Sequence, residues 1–526
     1  MPTSPSVVLH DLSYTWPDGT VALDHLTAAF GSGRTGLVGR NGAGKSTLVR
    51  LVTGRLHPTS GSVQTSGPVD VLPQRLLATA DGARATDTVA DLLGVGPSLA
   101  ALRAILGGDA DPAHFDVLGD DWDVEERATA AVDALGLDLD RPVSTLSGGQ
   151  AVLVAIAGIR LRGRPIAFLD EPTNNLDRRA RAMLLDVVDS WRGTLVLVSH
   201  DRELLEHVDE TCELRTGSVT VFGGTFSAYE EHLAVQQAAV EREVRVADQR
   251  HRTEKRQRIA AETTIARRAK AGEKAGRSMP AILANEQRKK AQETAGRLRV
   301  GHRSAEASAL AATREAELRL RDDEAIHVEL PDPHVPASRR IATITVRGRD
   351  TVVQGPERIA VGGDNGVGKT TLLEQLVGVP DARDHPLPET GAVAHVDQIA
   401  YLPQRKDSLD DDATVLENVG RNAPHVPPAE LRNRLARFLV RGDTVDRPAG
   451  ALSGGERFRV ALAGLVLADP PPQLLVLDEP TNDLDLTSVD QLVDALRAHR
   501  GALVVVSHDE AFLDRLDLDV RLDLSS

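Results

Sequence analysis

A single cysteine, Cys212, stands among 526 residues, so the chain can form no internal disulfide and no cysteine-ligated zinc site. A small buried hydrophobe is the ordinary role of such a residue. Aromatic residues are nearly as scarce at 3%, which leaves Leu, Val, Ile and Ala to build the cores. No apolar run reaches the ~18 residues needed to cross a bilayer. Met1 to Ser13 carries neither a basic head nor an apolar stretch, so no export signal is expected. These absences exclude a disulfide scaffold and a membrane-spanning helix, and they suit a reducing, cytoplasmic setting. Positive charge is also in deficit, with a net −16 overall, but the deficit is uneven. Residues 241–320 hold 20 Lys and Arg against 11 Asp and Glu, so this segment stands at +9 and the remainder at −25. An acidic body with one basic segment is a statement about partners.

What the chain does contain is one set of motifs written twice, in the same order. Gly39-Arg40-Asn41-Gly42-Ala43-Gly44-Lys45-Ser46 reads G-x-x-x-x-G-K-S, and Gly363-Asp364-Asn365-Gly366-Val367-Gly368-Lys369-Thr370 reads G-x-x-x-x-G-K-T. Each is followed by a Pro-Gln pair (Gln74, Gln404) and a Leu-Ser-Gly-Gly run (Leu146 to Gln150, Leu452 to Glu456). Each set then has an apolar strand ending in Asp-Glu (Asp170-Glu171, Asp478-Glu479) and closes with Val-Ser-His-Asp (His200, His508). From aspartate to histidine is 30 residues in both halves. Two ordered five-part sets identify an internal duplication. Apolar runs such as Leu195 to Val198 and Leu503 to Val506 are continuous rather than alternating, as in parallel strands buried on both faces. The expected fold is α/β: two P-loop cassette domains, over 5–226 and 335–522, joined by a long α-helical hairpin linker over 227–330.

The linker reads as helix. Ser227-Ala228-Tyr229-Glu230 has the spacing of a capping box, and the Ala-, Glu- and Arg-rich stretch after it has no Gly or Pro before Gly272. Gly272, Gly276 and Pro280 place a turn near residues 270–281, and a second helix is expected from about Ile282 to Arg321. Arms of this length would run roughly 55–65 Å. A further helical insertion is expected over Val89 to Gly136, because Gln74 to Leu146 exceeds Gln404 to Leu452 by 24 residues. Its acids Asp120, Asp121, Asp123, Glu125 and Glu126 lack the spacing of a calcium loop and suit a surface helix.

Each motif supports one part of nucleotide chemistry. Glycines in the P-loop let successive amides face a polyphosphate at a helix N-terminus. Lys45 and Lys369 are placed to neutralise the β- and γ-phosphates, and Ser46 and Thr370 to ligate Mg²⁺ together with Asp170 and Asp478. Glu171 and Glu479, one residue further on, are candidates to orient or deprotonate attacking water. Ser147-Gly148-Gly149 and Ser453-Gly454-Gly455 precede helical stretches and offer a hydroxyl and free amides to an anion.

These residues resemble the ATP-binding cassette ATPases over nearly the whole of both halves. In that superfamily two cassettes pack head to tail, and each ATP lies between the P-loop of one and the Ser-Gly-Gly run of the other. Carried onto this chain, the resemblance implies a first site of Gly39 to Thr47, Gln74, Asp170, Glu171 and His200 with Ser453 to Glu456. The second joins Gly363 to Thr371 (Thr370 and Thr371 included), Gln404, Asp478, Glu479 and His508 with Ser147 to Gln150. Gln74 and Gln404 join the implied metal shells, and His200 and His508 resemble the γ-phosphate switch. Tyr14, 25 residues before Gly39, stands where the superfamily stacks an aromatic on adenine, and no aromatic occupies the matching place before Gly363.

Two fused cassettes with no membrane span and a basic helical linker resemble, more narrowly, the ABC-F family, whose characterised bacterial members act on ribosomes. The implied role is an ATPase, closed by ATP, that engages rRNA and tRNA through residues 241–320, either as a translation factor or in protecting the ribosome from an antibiotic. The expected form is a monomer whose cassettes pair with each other. Between 250 and 303 sixteen Lys and Arg face only five acids, a density suited to salt-dependent phosphate contacts. No Phe, Trp or Tyr occurs between 230 and 330, so backbone and shape rather than base stacking would be read. The alternative is the ATPase subunit of a membrane exporter, a role that does not call for a basic hairpin.

Overall fold

The computed structural model describes residues 6–74, 87–174, 176–215, 217–276, 281–317, 330–379, 389–404, 409–482 and 484–525. Within the first cassette, β1 (Val7–Thr15) pairs antiparallel with β2 (Val21–Phe30) and β4 (Ser60–Thr65) in a three-stranded sheet. A second, six-stranded sheet is built from β3 (Gly33–Val38), β5 (Val69–Leu72), β6 (Ile166–Asp170), β7 (Thr194–Val198), β8 (Glu210–Arg215) and β9 (Ser218–Gly223). Its order is β5-β6-β7-β3-β8-β9, parallel except for β9 against β8. Every residue of β6 and β7 is buried, which is why these runs are apolar throughout.

That order positions the chemistry. Helix α1 (Lys45–Val52) follows β3 through the first P-loop, Asp170 ends β6, and His200 lies just beyond β7. Because β6, β7 and β3 are parallel neighbours, three motifs far apart in sequence emerge side by side at one sheet edge.

The insertion consists of α2 (Val89–Leu93), α3 (Gly96–Leu106), α4 (Pro112–Leu118) and α5 (Val124–Asp133). Leu93, Leu102, Leu118 and Val132 share a core with Leu146, Ala151 and Val154, so the insertion packs on the start of α6 (Gly148–Arg162). Three of its acids are paired: Glu125 with Arg103, and Asp121 and Asp123 with Arg127. Helices α7 (Arg178–Asp189) and α8 (Arg202–Leu205) complete the cassette.

Helices α9 (Phe226–Gly276) and α10 (Ala281–Glu317) follow. The first has 51 residues, about 76 Å at 1.5 Å per residue. It is longer than expected because the helix runs through Gly272, whose cost of ~1 kcal/mol relative to Ala one position alone does not make decisive. Residues 277–280 of the expected turn, and 318–321 at the end of the expected second helix, lie outside the described residues. The capping box also differs. Ser227 lies inside the helix, and its amide and hydroxyl donate to Glu206 Oε1 at 2.7 and 2.5 Å. The cap thus comes from a carboxylate 21 residues upstream.

The second cassette repeats the plan with β10 (Arg340–Val346), β11 (Arg349–Gln354), β12 (Arg358–Gly362), α11 (Lys369–Val377), β13 (Gly391–Ala394) and β14 (Ile399–Leu402). Helices α12 (Val415–Gly420), α13 (Pro428–Arg437) and α14 (Gly454–Val466) lead to β15 (Leu474–Asp478), α15 (Leu486–Ala498), β16 (Ala502–Val506), α16 (Glu510–Leu513) and β17 (Val520–Asp523). Its main sheet, β14-β15-β16-β12-β17, is wholly parallel. Met1–Ser227 and Ala325–Ser526 form one compact unit, and Ala228–Glu324 a second. In the second unit Arg258 of α9 pairs with Glu306 of α10, and twelve of the sixteen basic residues between 250 and 303, among them Arg256, Arg267, Arg268, Lys270, Arg297 and Arg299, are exposed. The side chains of Lys274, Arg277 and Arg288 lie outside the described residues.

Candidate active site at the cassette interface

Both P-loops are shaped by glycine where nothing else fits. A Cβ on Gly39 would lie 2.3 Å from the Leu214 carbonyl oxygen, and Gly44, at φ 99°, caps α1 in the left-handed region. Lys45 and Lys369 are buried and turned back onto the loop: Lys45 Nζ donates to Gly39 O at 2.6 Å, and Lys369 Nζ to Gly363 O at 2.7 Å. Burial pulls both ammonium groups below their ordinary pKa, against the pull of Glu171 and Glu479. Thr370 Oγ1 donates to Asp478 Oδ2 at 2.7 Å, and Ser46 bonds Asp170 in the same way.

Glu171 and Glu479 are held at φ 51° and 46°, a strained conformation for residues with a Cβ, immediately after β6 and β15. Burial pushes their carboxyls up, Glu171 to about 8 and Glu479 to about 7. Burial lowers His200 to about 3 and His508 to about 4, so both imidazoles are neutral near pH 7. His200 Nε2 lies 3.5 Å from Glu171 Oε1, and His508 Nε2 lies 3.4 Å from Glu479 Oε1. Lys369 Nζ also sits 3.0 Å from His508 Nε2.

One cavity of about 520 Å³ joins the two cassettes. Asn365, Gly366, Gly368, Lys369, Thr370, Thr371, Gln404, Asp478, Glu479 and His508 line it from the second cassette, and Ser147 and Gly148 from the first. Ser147 caps α6, its Oγ accepting from the Gln150 amide at 3.2 Å, and Ser453 caps α14 with Glu456 likewise. The cavity reaches Glu171 and His200 as well, so the Glu and His of both halves open onto the same space.

Around the first P-loop the cassettes meet through Asp485, whose Oδ2 accepts from the Asn41 amide at 2.7 Å. Arg459 of α14 lies within the field of Arg40. None of the described contacts joins Ser453, Gly454 or Gly455 to the first P-loop, and Gln74 is exposed beyond β5. Tyr14, near the end of β1, meets Trp16 edge-on at 5.0 Å, and the β1–β2 hairpin abuts the P-loop, since a Cβ on Gly44 would lie 2.7 Å from Ala22 O. The tighter β10–β11 turn offers Arg347 instead, which donates to Ser525 O at 2.8 Å while Ser525 Oγ accepts from the Asp364 amide.

Asp485 and its counterpart Asp177 were not among the expected site residues. A signal existed: Pro-Thr-Asn, two residues and then Asp follows both Asp-Glu pairs. Each aspartate caps a helix, Asp177 accepting from Ala180 N and Asp485 from Ser488 N. Further links cross between the cassettes, Arg178 to Glu510 and Arg202 to Asp490.

The ABC transporter family model matches residues 24–174 and 349–482. The tylosin resistance ATP-binding protein TlrC of Streptomyces fradiae is 32% identical, with 98% of this chain and 97% of the relative aligned. The energy-dependent translational throttle protein EttA of Mycobacterium tuberculosis is 30% identical over 94% of this chain and 87% of its own length. Among solved structures, the archaeal ribosome recycling factor aABCE1, crystallised with the ribosomal stalk protein aP1, aligns with a TM-score of 0.55 at 20% identity, covering 96% of this chain and 86% of that one. At that identity the likeness is one of fold.

Proposed function

The chain belongs to the ABC-F family of ATP-binding cassette proteins and is an ATP hydrolase, and from that premise we propose that ATP at two composite sites closes its cassettes and that the closed form engages the ribosome through the basic hairpin. The observation that carries the reading is the shared cavity, in which Ser147 and Gly148 of one cassette stand with Lys369, Thr370 and Glu479 of the other.

The residues present suit Mg·ATP. Glu171 Oε1, Glu479 Oε1 and both ring nitrogens of His200 are buried without a hydrogen-bond partner among the described residues, and the P-loop lysines are bonded only to groups that a phosphate would replace or join. In this reading the P-loop amides and Lys45 or Lys369 bind the β- and γ-phosphates. Ser46 with Asp170 and Gln74, and Thr370 with Asp478 and Gln404, would hold Mg²⁺, which when bound offsets phosphate charge as a Lewis acid. Glu171 and Glu479 accept the proton of the water that attacks the γ-phosphorus as the bond to the ADP oxygen breaks. The neutral His200 and His508 offer an N–H to the terminal phosphate. Ser147 and Ser453, each with its two glycines, close the sites from the opposite cassette, and Tyr14 stacks on the adenine of site one.

A raised glutamate has a kinetic signature. Only the carboxylate accepts a proton, so below its pKa the hydrolytic rate should rise about tenfold per pH unit. With Glu479 at about 7, single-turnover hydrolysis at site two is expected to climb through pH 6–7 and then level. Rapid-quench measurement over pH 5.5–9 checks this, and a rate flat across pH 6–7 would remove Glu479 as the base.

The relatives support a reading of partner and setting. Two of them carry translational-throttle and tylosin-resistance names at 30–32% identity over nearly the whole chain, and both support a ribosomal partner. Among the described residues no helix is long and apolar enough to cross a membrane. The proposed form is a cytoplasmic monomer with paired cassettes, contacting rRNA and tRNA through residues 241–320. Co-sedimentation with ribosomes in the presence of ATP tests this half of the reading, and persistent failure to pellet at low salt would reject it.

A further inference from the structure

The short helix α8, beside the first switch histidine, touches three parts of the molecule at once. Asp201, directly after His200, caps it by accepting from the Leu204 amide at 3.2 Å. Leu204 and Leu205 are buried, and a Cβ on Gly36 of β3 would lie 2.8 Å from Leu205 Cδ2. The helix is thus seated on the strand that leads into the first P-loop. At its other end Glu206 takes both hydrogen bonds from Ser227 in the first turn of α9. Arg202 stands over the ring of Phe226, the first residue of α9, with its Cζ 5.4 Å from the centroid. Its Nη2 also donates to Asp490 Oδ1 of the second cassette at 3.1 Å, and the same oxygen takes Arg515 at 2.7 Å. The second cassette uses the matching positions otherwise: Glu510 meets Arg178, and Asp514 meets Arg521. Holding the root of α9 is therefore not a demand of the cassette plan itself.

We propose, resting on the closure reading above, that α8 is the element that couples cassette closure to the hairpin. Glu206 fixes the first turn of α9 to the helix that follows His200, and Arg202 passes the arrival of the second cassette to Phe226. With the cassettes together, the guanidinium is held between Asp490 and the Phe226 ring. When they part, Asp490 keeps Arg515, so the contact breaks without leaving that carboxylate alone. The pair of Arg202 with Asp490 is partly exposed, and pairs of this kind contribute little to stability. That suits a contact made and broken in every cycle. Because α9 is one helix from Phe226 to Gly276, a change in the tilt of its first turn is carried along it. Coupling requires an element that makes different contacts in two states, and α8 meets the opposite cassette in the closed one.

Two distances in the full chain test this, measured with and without ATP in the Glu171→Gln, Glu479→Gln background. Cys212 is buried, so spin labels can be directed to cysteines introduced at the exposed positions Arg192, Ala429 and Gln257. The pair 192–429 reads the cassettes, and the pair 192–257 reads the hairpin against the first cassette. ATP is expected to shorten the first distance and shift the second. Glu206→Ala and Arg202→Met should leave the first response intact and remove at least about half of the second. They should also cut the gain in ribosome affinity on adding ATP about fivefold or more, in line with the loss of a helix cap. Arg202→Lys, which keeps a cation over the ring, should retain the shift. Asp490→Asn leaves α8 and the root of α9 untouched, so a loss of the hairpin shift there supports the coupling even where Glu206→Ala fails to fold. Variants that close and still shift the hairpin as the parent does would overturn the proposal. So would a parent whose cassettes close while the 192–257 distance stays fixed, or variants that lose closure and shift together, which would make these residues braces of the interface. Absence of closure in the parent would instead strike the reading of ATP-driven pairing, and the proposal would fall with it.

Discussion

Replacing both Glu171 and Glu479 by Gln is expected to lower steady-state ATP turnover by at least about a hundredfold and to leave the protein locked on ATP, pelleting with ribosomes. The substitution preserves size and removes the proton acceptor. It removes no group that binds phosphate, since the P-loop amides, Lys45 and Lys369 are untouched. Ligand that binds only the closed form stabilises that form by about 2.7 kcal/mol at a hundredfold excess over Kd. In the proposed cycle hydrolysis ends this state, so blocking it makes the state long-lived. Because burial already holds both carboxyls partly neutral, the amides add no new desolvation cost, and the fold should tolerate them. Phosphate release and sedimentation read the two halves of the result. Residual turnover above a tenth of the parent's would mean that another group takes the proton.

The second large effect concerns the hairpin. Exchanging Arg256, Arg267, Arg268, Lys270, Arg297 and Arg299 for Glu is expected to weaken ribosome binding by about a thousandfold or more near physiological salt. All six are exposed, so their charge is available to phosphates. Each lost phosphate contact should also flatten the plot of log affinity against log salt by roughly 0.7–0.9. Arg258 is left out deliberately, since it pairs with Glu262 and Glu306 and its loss would disturb the helix pair. Retained helicity by circular dichroism shows that the hairpin survives. An unchanged affinity and salt slope would mean that the cassettes, not the hairpin, carry the contact.

Much of this molecule was legible because its chemistry depends on local sequence. The P-loop must be glycine-rich where Leu214 O and Ala22 O crowd the backbone, and strands buried on both faces must read as unbroken apolar runs. The duplicated spacing then pointed to both candidate sets of site residues. What escaped depends on tertiary partners. Ser227 has the spacing of a cap, yet Glu206 reaches its amide first, and no local rule registers a carboxylate arriving from an earlier turn. Asp485 was passed over although its motif is repeated, because its partner, the Asn41 amide, lies 444 positions away.

The most direct test of the account is a distance. Spin labels placed one on each cassette, away from the cavity, should report a single short separation when the Glu171→Gln, Glu479→Gln protein is given ATP. Without nucleotide they should report a longer or broader distribution. Identical distributions with and without ATP would contradict the claim that triphosphate binding draws the two halves together.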